Sequence, residues 1–151
     1  MNQIFQRISS VFLYTLPLKA SVPFGNYLFY KYSFLNVLKF IIFPVALIEQ
    51  SLPFGGLLLF IILFAGLVRN PNVPYFIRYN ACQALLLDIS LIIISYLLRV
   101  LSISSLDSII SVLGAIIFIF TLCIFIYSIS QCIYGVEPEI PFISKSVRMQ
   151  I

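Results

Sequence analysis

From Ile109 to Ile133 the chain runs for 25 residues without a charged side chain. As a helix rising 1.5 Å per residue, that run reaches about 37 Å, more than the roughly 30 Å hydrocarbon core of a bilayer. Three further apolar runs accompany it, at Tyr27 to Ile48, Leu52 to Val68 and Asn80 to Leu98. Composition decides what they mean: 62% of residues are hydrophobic and 9% charged, whereas soluble domains carry about a quarter charged. The expectation is an all-α membrane protein with four transmembrane helices, over about 27–48, 52–68, 80–98 and 109–133. Four spans of about 20 residues and their loops fill the 151 residues, so a single integral membrane domain is expected.

Ahead of the first span, Ile4, Phe5, Ile8, Val11, Phe12 and Leu16 recur at helical spacing, with Gln3, Gln6, Arg7 and Ser10 on the other side. This pattern predicts a short amphipathic helix over residues 4–16, too short to span and suited to lying in the membrane interface. A secretory signal fits less well, because Pro17, Lys19 and Pro23 follow without a small-residue cleavage site. No Arg/Ser-rich leader precedes the helix, so the chain is expected to be made on the side of its own N-terminus. Within the first span, Lys39 either snorkels from the boundary or lies deep and needs a partner. Pro44 bends that helix. The second span is short, with Gly55, Gly56, Ala65 and Gly66 permitting close helix approach. Past Gly135 the chain leaves the membrane as a tail over residues 136–151, where Pro138 and Pro141 stop the helix.

An even number of spans places both termini and the loop between spans two and three on one side. That side collects Arg7, Lys19, Lys31, Arg69, Arg78, Lys145 and Arg148, against Arg99 with Glu49 and Asp107 on the other. Under the positive-inside rule both ends face the compartment of synthesis.

Chemistry is narrowed by absences: the chain has no His, which removes histidine metal sites, Ser/His triads and His general bases. No enzyme activity and no cofactor are expected. Cys123 and Cys132, nine residues apart, face opposite sides of one helix and cannot bond to each other. Cys82 and Cys132 suit neighbouring helices at similar depth, and buried free thiols are the simpler reading. What remains is the third span. At 100° per residue Asn80, Asp88, Ser95 and Arg99 share one arc, flanked by Gln83. An ionised carboxylate at mid-membrane costs roughly 2.5–3.5 kcal/mol on insertion scales, so Asp88 is protonated, paired or wetted. Lys39 is the basic residue placed within another span. The stripe serves either as one wall of a polar passage or as interhelical glue, where each bond contributes about 0.6 kcal/mol. The Asn70-Pro-Asn-Val-Pro74 turn suits a loop stop and helix start, with Arg69 and Arg78 as lipid headgroup anchors or partner contacts.

The combination PFGNYLF, SLPFGGLLLF, VRNPNVPYFIRYNACQALLLDI and the tail IPFISKSVRMQ resembles the twenty-kilodalton subunit family of the plastid inner-envelope protein-import translocon, the Tic complex. Its most specific part is the RNPN turn of Arg69 to Asn72 followed by Arg78, Asn80, Gln83 and Asp88, supported by Pro141, Ser144, Arg148 and Gln150 in the tail. The resemblance implies a four-helix subunit with both termini in the stroma, associating with other Tic subunits, preprotein substrates and lipids, with no nucleic acid and no cofactor. It further implies a part in the protein-conducting channel. A front without a transit peptide suits a plastid-encoded algal copy or a cyanobacterial relative. A scaffold that only binds other subunits, and an autonomous small-ion channel or transporter with Asp88 and Lys39 at a midplane site, are the alternatives.

Overall fold

The computed structural model of the chain describes residues 2–102 and 107–151, with backbone alone at Ser102 and Asp107. All elements among the described residues are helical. The two longest are α6, Tyr75–Ser102, and α7, Asp107–Tyr134, each of 28 residues. Along with Ser33–Ser51, the segments Tyr75–Leu101 and Ser108–Tyr134 are long and apolar enough to cross a membrane. The loop expected between the third and fourth spans falls at 103–106, outside the described residues, while Asp107, expected in that loop, opens α7. Entry into α6 follows the chemistry of its preceding turn. The Asn70 side chain accepts from the Asn72 N–H at 3.0 Å, and the Pro74 carbonyl accepts from Ile77 and Arg78 as the first turn winds up.

The run expected as one span over 27–48 is broken. Helix α3 covers Asn26–Lys31, a 3-10 turn covers Ser33–Asn36 and α4 covers Val37–Ser51. Between the first two, Tyr32 is extended. The Asn36 side chain donates to the Ser33 carbonyl at 3.0 Å, a local bond that competes with continuous helix. The next expected span, 52–68, starts later than hydropathy suggests. Leu52 to Gly55 form a turn in which Phe54 and Gly55 have φ of 61° and 45°, so helix α5 begins only at Gly56 and runs to Leu63, followed by a π-helical turn at Phe64–Val68. Its thirteen residues reach about 20 Å, short of a hydrocarbon core.

The largest departure is at the front. A helix does form there, as α1, Gln3–Leu13, continued by α2, Thr15–Ser21, and a 3-10 turn at Val22–Gly25. It does not lie free on an interface: α1 and α2 both pack against α6 and α7. Ser10, Leu13, Tyr14, Leu16 and Leu18 are buried, while Ile4, Phe5, Ile8 and Phe12 stay exposed. The physical reason is that hydrocarbon already solvates the apolar stripe, so the polar side gains more by turning inward to hydrogen-bonding partners. Arg7 donates to the Ile133 carbonyl at 2.9 Å, satisfying a carbonyl at the C-terminal end of α7. At the other end the Phe24 carbonyl lies 3.0 Å from where a Cβ on Gly114 would sit, and Gly25 meets the Phe118 ring. From Ile133 to Gly114 is 19 residues of α7, about 28 Å. The first 25 residues therefore follow α7 for nearly the thickness of a hydrocarbon core.

The tail also folds back. Helix α8, Ile143–Arg148, packs on α6, with Ser144 and Val147 buried. The buried Pro138 carbonyl accepts from Tyr79 Oη at 3.1 Å and from Gln83 Nε2 at 3.2 Å, holding the tail to α6.

Candidate functional site: a charged crevice at mid-helix

Asp88 stands at the midpoint of α6, with thirteen residues of helix before it and fourteen after. It lines a crevice of about 210 Å³ together with Lys19 from α2, Glu49 from α4, and Ser95 and Arg99 about two and three turns along its own face. Lys19 Nζ donates to the Glu49 carboxylate in an ion pair. Asp88 and Ser95 have no hydrogen-bond partner or ion pair among the described residues. The pair is neutral, so an ionised Asp88 leaves one uncompensated negative charge beside it. Arg99 lies eleven residues on, about 16 Å along the helix, too far for a direct contact with Asp88.

The crevice is not closed. A second cavity, of about 340 Å³, shares Pro23, Ser95 and Arg99 with it and continues to Ile110 and Ser111 near the start of α7. A groove lined by both polar and apolar residues thus runs from mid-helix toward the end of the bundle opposite the two termini.

The other half of the expected stripe is sealed. Asn80 is fully buried, accepting from Tyr14 Oη at 2.9 Å and from Cys132 Sγ at 3.4 Å, and donating to the Phe76 carbonyl at 2.7 Å. Gln83 is fully buried under the tail, its Oε1 without a partner among the described residues. The structure thus brings Asp88, Ser95 and Arg99 together and separates them from Asn80 and Gln83. Lys39 is elsewhere: its ammonium lies over the Phe29 ring, 5.2 Å from the centroid, and does not line the crevice. The cation facing Asp88 is Lys19.

Among the loop and tail residues, Arg78 Nε donates to the Val68 carbonyl at 3.0 Å, joining the end of the π-helical turn to the start of α6. Arg148 pairs with Glu137 at 3.6 Å and Glu139 at 3.0 Å, and lies over the Tyr79 ring. Arg69 is exposed and sits over the Phe64 ring, with Asn70 engaged in its own turn. All three cysteines are free, Cys82 and Cys132 buried and Cys123 exposed.

Lys19, Glu49 and Tyr14 were not singled out from the sequence. Their signal was nevertheless present: Lys19 and Glu49 are opposite charges set against apolar runs, each in need of a partner.

Three helices long and apolar enough to span, packed on an apolar core with ionisable side chains gathered at one crevice, define a multi-span helical membrane protein. Over residues 2–147 the chain matches the family described as "Chloroplast import apparatus Tic20-like", and it belongs to that family. It is 34% identical over 97 residues to a "Tic20 family protein" of Synechocystis, covering 62% of this chain and 61% of that one. It is 35% identical over 96 residues to "Protein TIC 20-II, chloroplastic" of Arabidopsis thaliana, covering 64% and 46%. With "Protein TIC 20-v, chloroplastic" of the same plant it shares 36% identity over 86 residues, covering 57% and 41%. The chain therefore spans between about two fifths and three fifths of the length of these relatives.

Proposed function

We propose that the protein is a membrane subunit of the protein-import translocon in the plastid inner envelope, working with other membrane-embedded subunits of that complex, and that the Asp88 crevice forms part of the wall along which a preprotein passes. Family membership supports the complex and its membrane. The observation that carries the path is an unpartnered acid at mid-helix inside a groove leading to one end of the bundle. An extended polypeptide in a bilayer needs hydrated partners for its backbone groups, which hydrocarbon does not supply. A bundle of this size closes on a packed core, so the full path forms between the crevice and a neighbouring chain.

Four crossings fit this role, with boundaries unlike those suggested by hydropathy. The N-terminal segment makes the first, α4 and α5 share the return, and α6 and α7 make the third and fourth. Contacts of Arg7 with Ile133 and of Phe24 with Gly114 support the first crossing, and the Arg78 bond to Val68 supports the end of the second. Lys19 then lies at mid-depth with Glu49. Arg7, Arg69, Arg78, Lys145 and Arg148 remain at the end holding both termini, against Lys31, Lys39 and Arg99 at the other. The bias falls to five against three and still directs both termini to the stroma.

Asp88→Asn tests the reading, because it keeps the shape and removes the charge. Expected is slower preprotein import at unchanged abundance of the assembled complex. Loss of import that only tracks loss of abundance would assign Asp88 to packing instead. The sealing of Asn80 and Gln83 favours a second reading, a non-conducting scaffold whose crevice is covered by a partner helix. In that case cysteines placed at Ser95 would cross-link to another subunit and not to an arrested preprotein.

A further inference from the structure

A second cavity lies on the other side of α1. It is a groove of about 560 Å³ between α1, α4, α5 and the start of α6, and Ser9 is the single polar residue among those that line it. Its walls include Phe5, Ile8 and Phe12, the same apolar stripe that the sequence marks as a membrane-facing helix side. The stripe still meets hydrocarbon, but as the wall of a groove.

The lining narrows the occupant. From Phe5 to Leu16 the groove extends about 16 Å. An acyl chain, which offers only methylene and methyl groups, matches a wall that is apolar except for Ser9. The groove reaches Leu67, just before the Val68–Arg78 segment, and Val73 and Ile77 within it. That turn carries the guanidinium groups of Arg69 and Arg78, and no acidic residue occurs between Glu49 and Asp88. Among the described residues, one ring contact holds Arg69 and one carbonyl bond holds Arg78, and each guanidinium keeps further N–H donors for an anionic group.

We propose that this groove binds one acyl chain of an anionic diacyl lipid, whose phosphate or sulfonate headgroup is held by Arg69 and Arg78 at the turn. The lipid fills the wedge left because α5 and its π-helical turn are too short to pack α1 along its whole length.

The full chain, purified in mild detergent and exchanged into nanodiscs of equal parts dioleoyl phosphatidylglycerol and dioleoyl phosphatidylcholine, provides the test. After stripping by detergent, native mass spectrometry reads the retained lipid. Expected is one phosphatidylglycerol per chain in preference to phosphatidylcholine. Arg69→Gln should lower that preference about fivefold, the effect of one cation near an anionic surface. Ser9→Trp, which fills the groove from α1, should abolish retention of either lipid while the helical circular dichroism stays unchanged. Equal retention of both lipids, retention unaffected by Ser9→Trp, or a second protein chain cross-linked through Ile8 would each overturn the proposal. Should Ser9→Trp unfold, Ile48→Trp from the α4 wall repeats the measurement.

Discussion

Removing Lys19 should destabilise the protein more than removing its partner Glu49, and removing both should cost little. In Lys19→Met, Glu49 and Asp88 face one crevice without the ammonium that pairs the former. Insertion scales put an uncompensated charge at mid-span at roughly 2.5–3.5 kcal/mol. The two side chains keep 33% and 23% of their surface exposed, so about 70% of that cost applies, or about 2 kcal/mol. In Glu49→Leu the freed ammonium can turn to Asp88 across the same crevice, and the loss should be nearer 1 kcal/mol. The double variant has no unpaired cation and one fewer carboxylate, and an apolar pair of similar volume restores most of the stability. The resulting coupling is about 2–3 kcal/mol. Reversible unfolding in mixed micelles with rising dodecyl sulfate, followed by far-ultraviolet circular dichroism, measures all three. Additive single effects would refute the pair, and equal losses from the two single variants would refute Asp88 as the alternative partner.

Three other perturbations address separate contacts. Tyr14→Phe removes the hydroxyl that Asn80 accepts from and should lower stability by about 0.6–1.7 kcal/mol in the same assay, with no further loss when Asn80→Leu is added. Gly114→Ala drives a methyl to 3.0 Å from the Phe24 carbonyl and should cost about 1–3 kcal/mol, whereas Gly66→Ala, with nothing within 4 Å, should cost less than 0.5 kcal/mol; equal effects would show that the N-terminal segment does not lie on α7. Reversing Arg69 and Arg78 to Glu leaves three cations at each end, and labelling of engineered cysteines from the two sides of the membrane should then reveal mixed orientations; a single unchanged orientation would refute the charge-based topology.

The course of α7 was readable because its charge-free run exceeds the bilayer, and α6 because its polar residues fall on one helical arc. That arc holds Asp88, Ser95 and Arg99, which line one crevice. It also joined Asn80 to them, and there the structure differs: Tyr14, 66 residues away in sequence, covers Asn80 and cuts the stripe in two. Helical arithmetic identifies side chains that share a face. It contains nothing about which other segment lies over each part of that face. The same limit explains Gln83, which lies beside the stripe by angle and is taken up by the Pro138 carbonyl of a tail 55 residues on. Breaks in the first two expected spans had local signals, Ser33 with Asn36 in one and Phe54-Gly55 in the other, but uninterrupted hydropathy on either side concealed them.

The front of the chain shows why additive hydropathy fails here in a particular way. A sliding window over Lys19 scores its charge as a penalty, and a window over Glu49 scores another, since the two lie 30 residues apart and never share a window. In the fold they are one neutral pair, and the two penalties largely cancel. The segment around Lys19 then passes for a surface helix with a basic end, and Lys19 is counted among the cations that set orientation. Under the four crossings proposed above, that pairing takes Lys19 out of the orientation count, and the crossing of the N-terminal segment moves Lys31 to the other side. The pairing also accounts for the naming of Lys39, which sits on Phe29, as the cation opposite Asp88. Opposite charges set within separate apolar segments are better scored together, and in this chain that rule brings Lys19, Glu49 and Asp88 into one crevice.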